Sequence, residues 1–183
     1  MQITDYLKYY DIESYLFNEV ASNFEKRGFL TQEEFFCIII WKANRAKSKI
    51  ARKFDKEASM ELAIKKLTSS IYNTDTNKGK LAILINDYGF YLPMASAILS
   101  VLYQDSFSIY DVRVCDVLKE KFNTDKYHKL KNWTFERLWV AYQDYLEKTL
   151  EVYGKPNYRD ADKYLWSKSF YEQLADNINN RFL

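Results

Sequence analysis

The sequence of 183 residues contains only four glycines and two prolines. This scarcity argues against a β-sandwich, in which seven or more strands are joined by tight turns rich in these residues. It also argues against a glycine-rich loop of the kind that cradles nucleotide phosphates. With 48% hydrophobic residues the chain can still bury a core, so we expect a folded protein built without either feature.

Cysteine and histidine are equally scarce, with two and one residues. Two cysteines cannot form a disulfide framework, a four-cysteine zinc site or an iron–sulfur cluster. A single histidine argues against histidine-based metal sites and a Ser-His-Asp triad. We therefore expect no metal or other cofactor, and we expect Cys37 and Cys115 to be reduced thiols.

Long hydrophobic runs are absent. The longest, residues 35–41, is far shorter than the about 20 residues that span a bilayer. The first eleven residues carry Asp5, Lys8 and Asp11 and no apolar stretch of the kind found in signal peptides. These observations predict a cytoplasmic protein without a membrane partner, and we expect a monomer.

The net charge of +2 is the result of an uneven distribution along the chain. Residues 1–34 hold seven acids and three bases, residues 35–133 hold seventeen bases and ten acids, and residues 134–183 hold eight acids and seven bases. Basic clusters suit phosphate backbones, although a solvated helix face is an alternative interpretation. The two clusters are Lys42, Arg45, Lys47, Lys49, Arg52, Lys53 and Lys56, and then Lys119, Lys121, Lys126, Lys129 and Lys131.

The apolar periodicity predicts an all-α fold. Thr31 and Glu34 form a capping-box pattern ahead of an apolar run, so a central helix is expected to begin there. Gly154, followed by Pro156, predicts the end of a long amphipathic helix. That helix is expected to cover residues 135–152, and the other predicted helices cover residues 58–71, 81–85, 94–102, 111–121 and 160–181, with a polar loop at 73–79.

Residues 84–99 read as two short helices joined by a tight turn. Gly89 suits the turn, and Pro93 suits the first turn of the second helix because its missing N–H is not needed there. The small residues at 95–97 (Ala-Ser-Ala) allow close packing of the two helices. A helix N-terminus presented in this way can bind phosphate.

This segment resembles the helix-hairpin-helix DNA glycosylase superfamily, which includes endonuclease III. Gly89 matches the first glycine of the hairpin, and residues 94–99 (Met-Ala-Ser-Ala-Ile-Leu) match its Thr-Ala and apolar helix. Residues 110–114 (Tyr-Asp-Val-Arg-Val) match the Val-Asp-Thr-His-Val that carries the catalytic aspartate. Short bacterial relatives also share Trp-Lys-x-x-Arg, here residues 41–45, and Arg-Asp-x-Asp-x-x-Leu-Trp, here residues 159–166.

The resemblance implies a monofunctional DNA glycosylase with Asp111 as the catalytic carboxylate and double-stranded DNA as the partner. A simple helix N-cap is the alternative role for Asp111. The resemblance also allows a structural monovalent cation at the hairpin. The implied DNA contacts are Gly89, Tyr91, Met94, Lys42, Arg45 and Arg113. The aromatic residues that could line a base pocket are Trp41, Tyr110 and Trp166. Packing in the core is the alternative role for these three.

Three departures from the family pattern refine this expectation. Tyr91 replaces the second hairpin glycine. This replacement favours the alternative that the chain is a non-catalytic DNA-binding protein. Pro93 stands where bifunctional relatives have a Schiff-base lysine, so β-lyase chemistry at that position is excluded. The four-cysteine cluster of endonuclease III is absent. Both DNA repair and defence against phage DNA with modified bases stay open as settings for the activity.

The implied architecture is a single glycosylase-like domain of residues 1–183 with two helical lobes and a cleft between them. The first lobe is expected to span about residues 29–103 and to end in a hairpin at about 81–102. The second lobe is expected to combine residues 1–28 with residues 111–183, and Asp111 is expected to face the cleft.

Overall fold

The computed structural model describes residues 6–55 and 58–182, except for the side chains of Lys131 and Asn132. Lys56 and the side chain of Lys131, members of the two predicted basic clusters, therefore lie outside the described residues. Every regular element in the described ranges is helical, which confirms the all-α prediction. The chain divides into two compact units, unit 1 of Met1–Tyr103 and unit 2 of Gln104–Leu183.

The described part of unit 1 contains six helices. The helix α1 runs without a break from Ile12–Ser14 through a π-helical segment, Tyr15–Val20, to Ala21–Arg27. Gly28 ends it in the left-handed conformation that glycine adopts without strain. The others are α2 (Gln32–Ala43), α3 (Lys47–Ala51) between the 3₁₀ turns Asn44–Ala46 and Arg52–Phe54, α4 (Met60–Tyr72), α5 (Asn77–Ala82) with a π-helical continuation Ile83–Asp87, and α6 (Leu92–Leu102).

The predicted capping box at the start of α2 is confirmed. The Thr31 hydroxyl accepts a hydrogen bond from the Glu34 N–H at 3.2 Å, and the Glu34 carboxylate accepts one from the Thr31 N–H at 2.8 Å. Glu34 is buried and also pairs with Arg27. The cap therefore fixes both the first turn of α2 and its junction with the end of α1.

Replacing Thr31 with Ala is expected to lower the free energy of unfolding by about 1 kcal/mol, because it removes the acceptor for the Glu34 N–H. Urea denaturation measures this change. Thr31→Ser keeps the hydroxyl and is the matched control. Equal destabilisation by the two variants would show that the hydroxyl does not contribute through the cap.

The helix α6 forms the centre of unit 1. Ten of its eleven residues are buried, and the exception is Pro93. Residues 95–97 are fully enclosed, as their small size predicts. In contrast, α2, which was expected to be a central helix, is partly exposed, since Ile40 is 40% accessible to solvent. Its buried face is narrower than the apolar run indicates because Phe35, Ile38 and Ile39 share one side.

The N-terminal helix packs within unit 1, which differs from the expected grouping of residues 1–28 with residues 111–183. The Phe24 ring contacts Tyr72 and Tyr103 edge-on, with ring centroids 5.5 and 5.8 Å apart. The Tyr72 hydroxyl donates a hydrogen bond to the Glu25 carbonyl at 3.2 Å. These contacts place α1 against α4 and the end of α6, because aromatic burial there outweighs the sequence separation.

The predicted loop at 73–79 is shorter than expected, since α5 already begins at Asn77. The Thr76 hydroxyl accepts the Gly79 N–H at 3.1 Å and caps this helix. Lys80 is buried, and its ammonium donates to the carbonyls of Thr74 and Asp75. Burial lowers the pKa of Lys80. The lysine therefore ties the loop to the helix through backbone oxygens.

Within residues 104–182, unit 2 has three helices: α7 (Val112–Phe122), α8 (Phe135–Tyr153) and α9 (Tyr158–Asn179), with a 3₁₀ segment Lys126–Asn132 between the first two. Gly154 ends α8 with φ +79°, which confirms the predicted helix end. A cluster of buried tyrosines fills the centre of this unit. Tyr142 and Tyr145 stack with centroids 5.9 Å apart.

The two stacked tyrosines of α8 anchor the segment that precedes α7. The Tyr142 hydroxyl donates to the Ser108 carbonyl, and the Tyr145 hydroxyl donates to the Ile109 carbonyl at 2.8 Å. Burial raises the pKa of both phenols, so both remain donors. An extended segment has no helical partners for its carbonyls. The hydroxyls of these tyrosines supply the hydrogen-bond donors, and this role partly explains why the chain has sixteen tyrosines.

Candidate functional site

Two helices of unit 1 are joined by a turn at residues 88–91, which we call the hairpin turn. The Phe90 N–H donates to the Leu84 carbonyl at 2.8 Å and closes the turn. Gly89 has φ +63°, a left-handed conformation that other residues rarely adopt. Pro93 lies in the first turn of α6, as its position in the sequence predicts. The hairpin turn is therefore a defined structure.

The basic segment around α3 meets the hairpin turn. The Lys53 ammonium donates a hydrogen bond to the Gly89 carbonyl at 2.9 Å and lies 5.5 Å from the Phe90 ring centroid. The Lys49 ammonium lies 5.3 Å from the centroid of the Tyr91 ring, which is 67% exposed. Two lysines one helical turn apart thus line one side of the turn. Both lysines belong to the first predicted basic cluster, but the sequence does not predict that they contact the hairpin turn.

The first turn of α6 has few free donors. The Met94 N–H, predicted as a phosphate contact, donates to the Tyr91 carbonyl at 3.0 Å. Pro93 has no N–H, and the Met94 side chain is buried. A phosphate at Met94 would have to share a proton that is already used. Lysine side chains, not this backbone, are the stronger donors at the turn.

The residues of the Trp-Lys-x-x-Arg pattern lie at the end of α2 and just beyond it. Trp41 is half-buried and contacts Phe17 edge-on, with centroids 5.4 Å apart. Lys42 is half-buried, and Arg45 is exposed in the 3₁₀ turn that follows. Trp41 therefore packs within unit 1, while Arg45 is placed to meet a ligand from solvent.

Asp111 is the N-cap of α7, which confirms the capping role considered for it. Its carboxylate accepts a hydrogen bond from the Arg113 N–H at 3.1 Å, and its side chain is half-buried. The carbonyls of Ser108 and Ile109, which the tyrosines of α8 anchor, lie two to three residues before it. The carboxylate is therefore held by a rigid helix start on one side and a fixed segment on the other.

Arg113 is held on the surface of α9. Its guanidinium lies 5.2 Å from the Trp166 ring centroid and 5.4 Å from that of Phe170, and it donates to the Gln173 side chain at 2.7 Å. The two rings stack almost in parallel, 5.5 Å apart. Arg113 and Trp166 thus belong to one partly exposed cation–aromatic stack.

Tyr110 has a different environment from Trp166. Its hydroxyl donates to the Tyr127 carbonyl, and its ring centroid lies 5.4 Å from that of Tyr145. Burial raises its pKa. Tyr110 therefore extends the buried tyrosine cluster of unit 2. The three aromatic residues predicted for a base pocket have three distinct settings, namely packing in unit 1 for Trp41, the edge of the buried cluster for Tyr110 and the surface stack for Trp166.

Cys115 is buried one turn into α7, and burial raises its pKa to about 12. At pH 8 such a thiol is almost entirely protonated, and the thiolate is the reactive form. In a Cys37→Ser background we expect alkylation of Cys115 to be more than about 100-fold slower in the folded protein than in urea. Rate measurements with iodoacetamide test this, and equal rates would contradict a buried thiol.

Unit 2 also has an open groove of about 490 Å³ that the sequence did not indicate. Trp133 and Arg137 line it, and the guanidinium lies 4.8 Å from the indole centroid. Lys126 and Asp144 lie at its other side as an ion pair at 2.6 Å. The hydrogen bonds from Lys126 and Tyr127 lower the pKa of Asp144 although burial opposes them. The groove thus has mixed charge.

Among residues 6–55 and 58–182, no group of three or more His, Cys, Asp and Glu side chains is arranged to hold a metal ion. Within the same ranges, no helix combines the length and apolar character that crossing a membrane requires. No family model matches the chain, and neither does any curated protein or solved structure.

Proposed function

We propose that this protein is a monofunctional DNA glycosylase that removes a damaged or modified base from double-stranded DNA. Binding to nucleic acid is supported by one observation: Lys49 and Lys53 both contact the hairpin turn, although Gly89 lies 36 residues from Lys53 along the chain. Phosphate backbones are attracted to such clustered ammonium groups. The chemical part is supported by the resemblance around Asp111 and by the fixed position of that carboxylate.

The proposed reaction is hydrolysis of the bond between C1′ of the sugar and the base nitrogen. The nucleotide is flipped out of the stack, since its C1′ is otherwise inaccessible. As the bond breaks, its electron pair leaves with the base, and positive charge develops on the sugar. The Asp111 carboxylate stabilises this charge and orients water. The water hydroxyl then bonds to C1′, the remaining proton is transferred to the base, and an abasic site is left.

The capping hydrogen bond is compatible with this role. Because the cap orients the group, it reduces the reorganisation that catalysis would otherwise need. Pro93 offers no primary amine for a Schiff base, so the proposed product is an intact strand with an abasic site.

A non-catalytic DNA-binding protein is the second candidate. The observation that favours it is the capping bond of Asp111, which explains an aspartate at this position without any reaction. Tyr91 in place of a glycine at the hairpin turn points the same way. This candidate predicts salt-dependent duplex binding and no release of any base.

A panel of duplexes tests the proposal. Each carries one oxidised, alkylated, mismatched or modified-cytosine base, and the protein is used in excess so that a single turnover is followed. Base release is detected by mass spectrometry, and alkali then cleaves the abasic strand. We expect release from at least one duplex and no strand cleavage before alkali. Binding without release from any duplex would favour the second candidate, and cleavage without alkali would contradict a monofunctional enzyme.

A further inference from the structure

We propose that Lys53 is the cation of the hairpin turn, and that its ammonium bridges the Gly89 carbonyl and a phosphate of duplex DNA. This inference rests on the proposed function for its partner, and it concerns how the chain holds that partner. It assigns to a side chain of this protein a role that the resemblance would leave to a bound monovalent cation. It also explains why a basic segment lies against the turn.

The geometry is specific to Lys53. Its Nζ donates to the Gly89 oxygen at 2.9 Å and lies over the Phe90 ring. An ammonium has three donors, and this hydrogen bond uses one of them. A side chain at position 89 would bring its Cβ within 3.3 Å of that Nζ, and φ there is +63°. A larger residue at this position would strain the turn and crowd the lysine ammonium.

Lys49 adds a second positive charge on the same side of the turn. It precedes Lys53 by four residues, so the two side chains leave neighbouring positions of the helical segment. Its ammonium lies over Tyr91, which is largely exposed. Tyr91, which replaces a glycine of the family pattern, therefore positions a lysine. The turn presents an aromatic-backed pair of ammonium groups, which suits two oxygens of a phosphate backbone.

A monovalent metal ion does not fit the same carbonyl well. The Gly89 oxygen already accepts a hydrogen bond from the positively charged Lys53 ammonium at 2.9 Å. A potassium or sodium ion on that oxygen would lie close to the ammonium, and like charges at such distances repel strongly. The residues at this turn therefore favour the lysine over a bound ion, and the chain departs here from the cation that the resemblance allows.

The test is duplex binding by the full-length protein, followed by fluorescence anisotropy over a series of potassium chloride concentrations. Lys53→Met is expected to weaken binding about 10-fold and to lower the slope of log affinity against log salt by about 0.9, the value for one lost phosphate contact. Lys53→Arg keeps the charge and should keep the slope. Lys65→Met is the matched control, because Lys65 also lies over an aromatic ring in unit 1, that of Phe29.

Exchange of the salt cation gives a second readout. If Lys53 supplies the charge, wild-type affinity is the same in potassium, sodium and tetramethylammonium chloride at equal ionic strength. Lys53→Met binding that matches Lys65→Met, or wild-type binding lost in tetramethylammonium, would overturn the inference while leaving DNA binding established. Absence of duplex binding by the wild type would instead contradict the proposed function, and this inference with it.

Discussion

Asp111→Asn is expected to release the target base about 100- to 10,000-fold more slowly than the wild type, while the protein folds and binds DNA normally. This is the range over which a positioned carboxylate contributes to proton transfer and charge stabilisation. Asparagine is as good an N-cap as aspartate, so it can still accept the Arg113 N–H. The substitution thus removes the negative charge and retains the helix start.

Single-turnover rates on the duplex selected from the panel measure the effect. Asp105→Asn is the matched control, since Asp105 is an exposed aspartate six residues earlier in the same unit. Asp111→Ala removes both the charge and the cap, and it should additionally lower the free energy of unfolding by about 1 kcal/mol. If Asp111→Asn releases base as fast as the wild type, the carboxylate serves only as a cap and the proposed mechanism is wrong.

Local signals in the sequence predict much of the helical structure. Thr31 and Glu34 lie three residues apart, so the capping box can be recognised without any tertiary information. Gly154 and the helix start after Asp111 are likewise local features. These signals succeed because a helix end must satisfy its own free N–H and C=O groups with nearby residues.

Tertiary partners could not be predicted in the same way. The contact between Lys53 and Gly89 joins positions 36 residues apart, and nothing in either local pattern specifies it. The hydrogen bonds from the tyrosines of α8 to the carbonyls of residues 108 and 109 likewise depend on how α8 packs, which no local pattern specifies. The resemblance therefore predicts which positions carry the site residues, but only the structure shows which residues surround them.

The grouping of α1 with unit 1 shows the same limit. Phe24 is apolar and buried, but the sequence around it does not predict that Tyr72 is the ring that covers it. The expected grouping of residues 1–28 with residues 111–183 came from the architecture that the resemblance implies, and charge could not have decided it, although residues 1–34 and 134–183 both carry a net negative charge. Surface charge describes what faces solvent and not which helices share a core.

The ring of Phe35, in the helix α2, contacts both the segment that carries Lys53 and the hairpin turn. It is fully buried, and its centroid lies 5.9 Å from that of Phe54 and 6.3 Å from that of Phe90. Phe54 immediately follows Lys53, and Phe90 immediately follows Gly89. The aromatic packing at Phe35 therefore holds the two residues of the Lys53–Gly89 hydrogen bond at their distance.

Phe35→Ala is expected to lower the free energy of unfolding by about 3–5 kcal/mol, because it removes a buried ring and leaves a cavity. That is a large part of the about 5–15 kcal/mol that stabilises a typical domain. Leu62→Ala, at a position 63% exposed on α4, should change stability by less than about 0.5 kcal/mol. Urea denaturation compares the two variants.

At temperatures where Phe35→Ala remains folded, we also expect its duplex affinity to fall toward that of Lys53→Met, since the lysine loses its fixed distance from the turn. Wild-type affinity in a folded but destabilised Phe35→Ala protein would show that Lys53 reaches phosphate without this aromatic support.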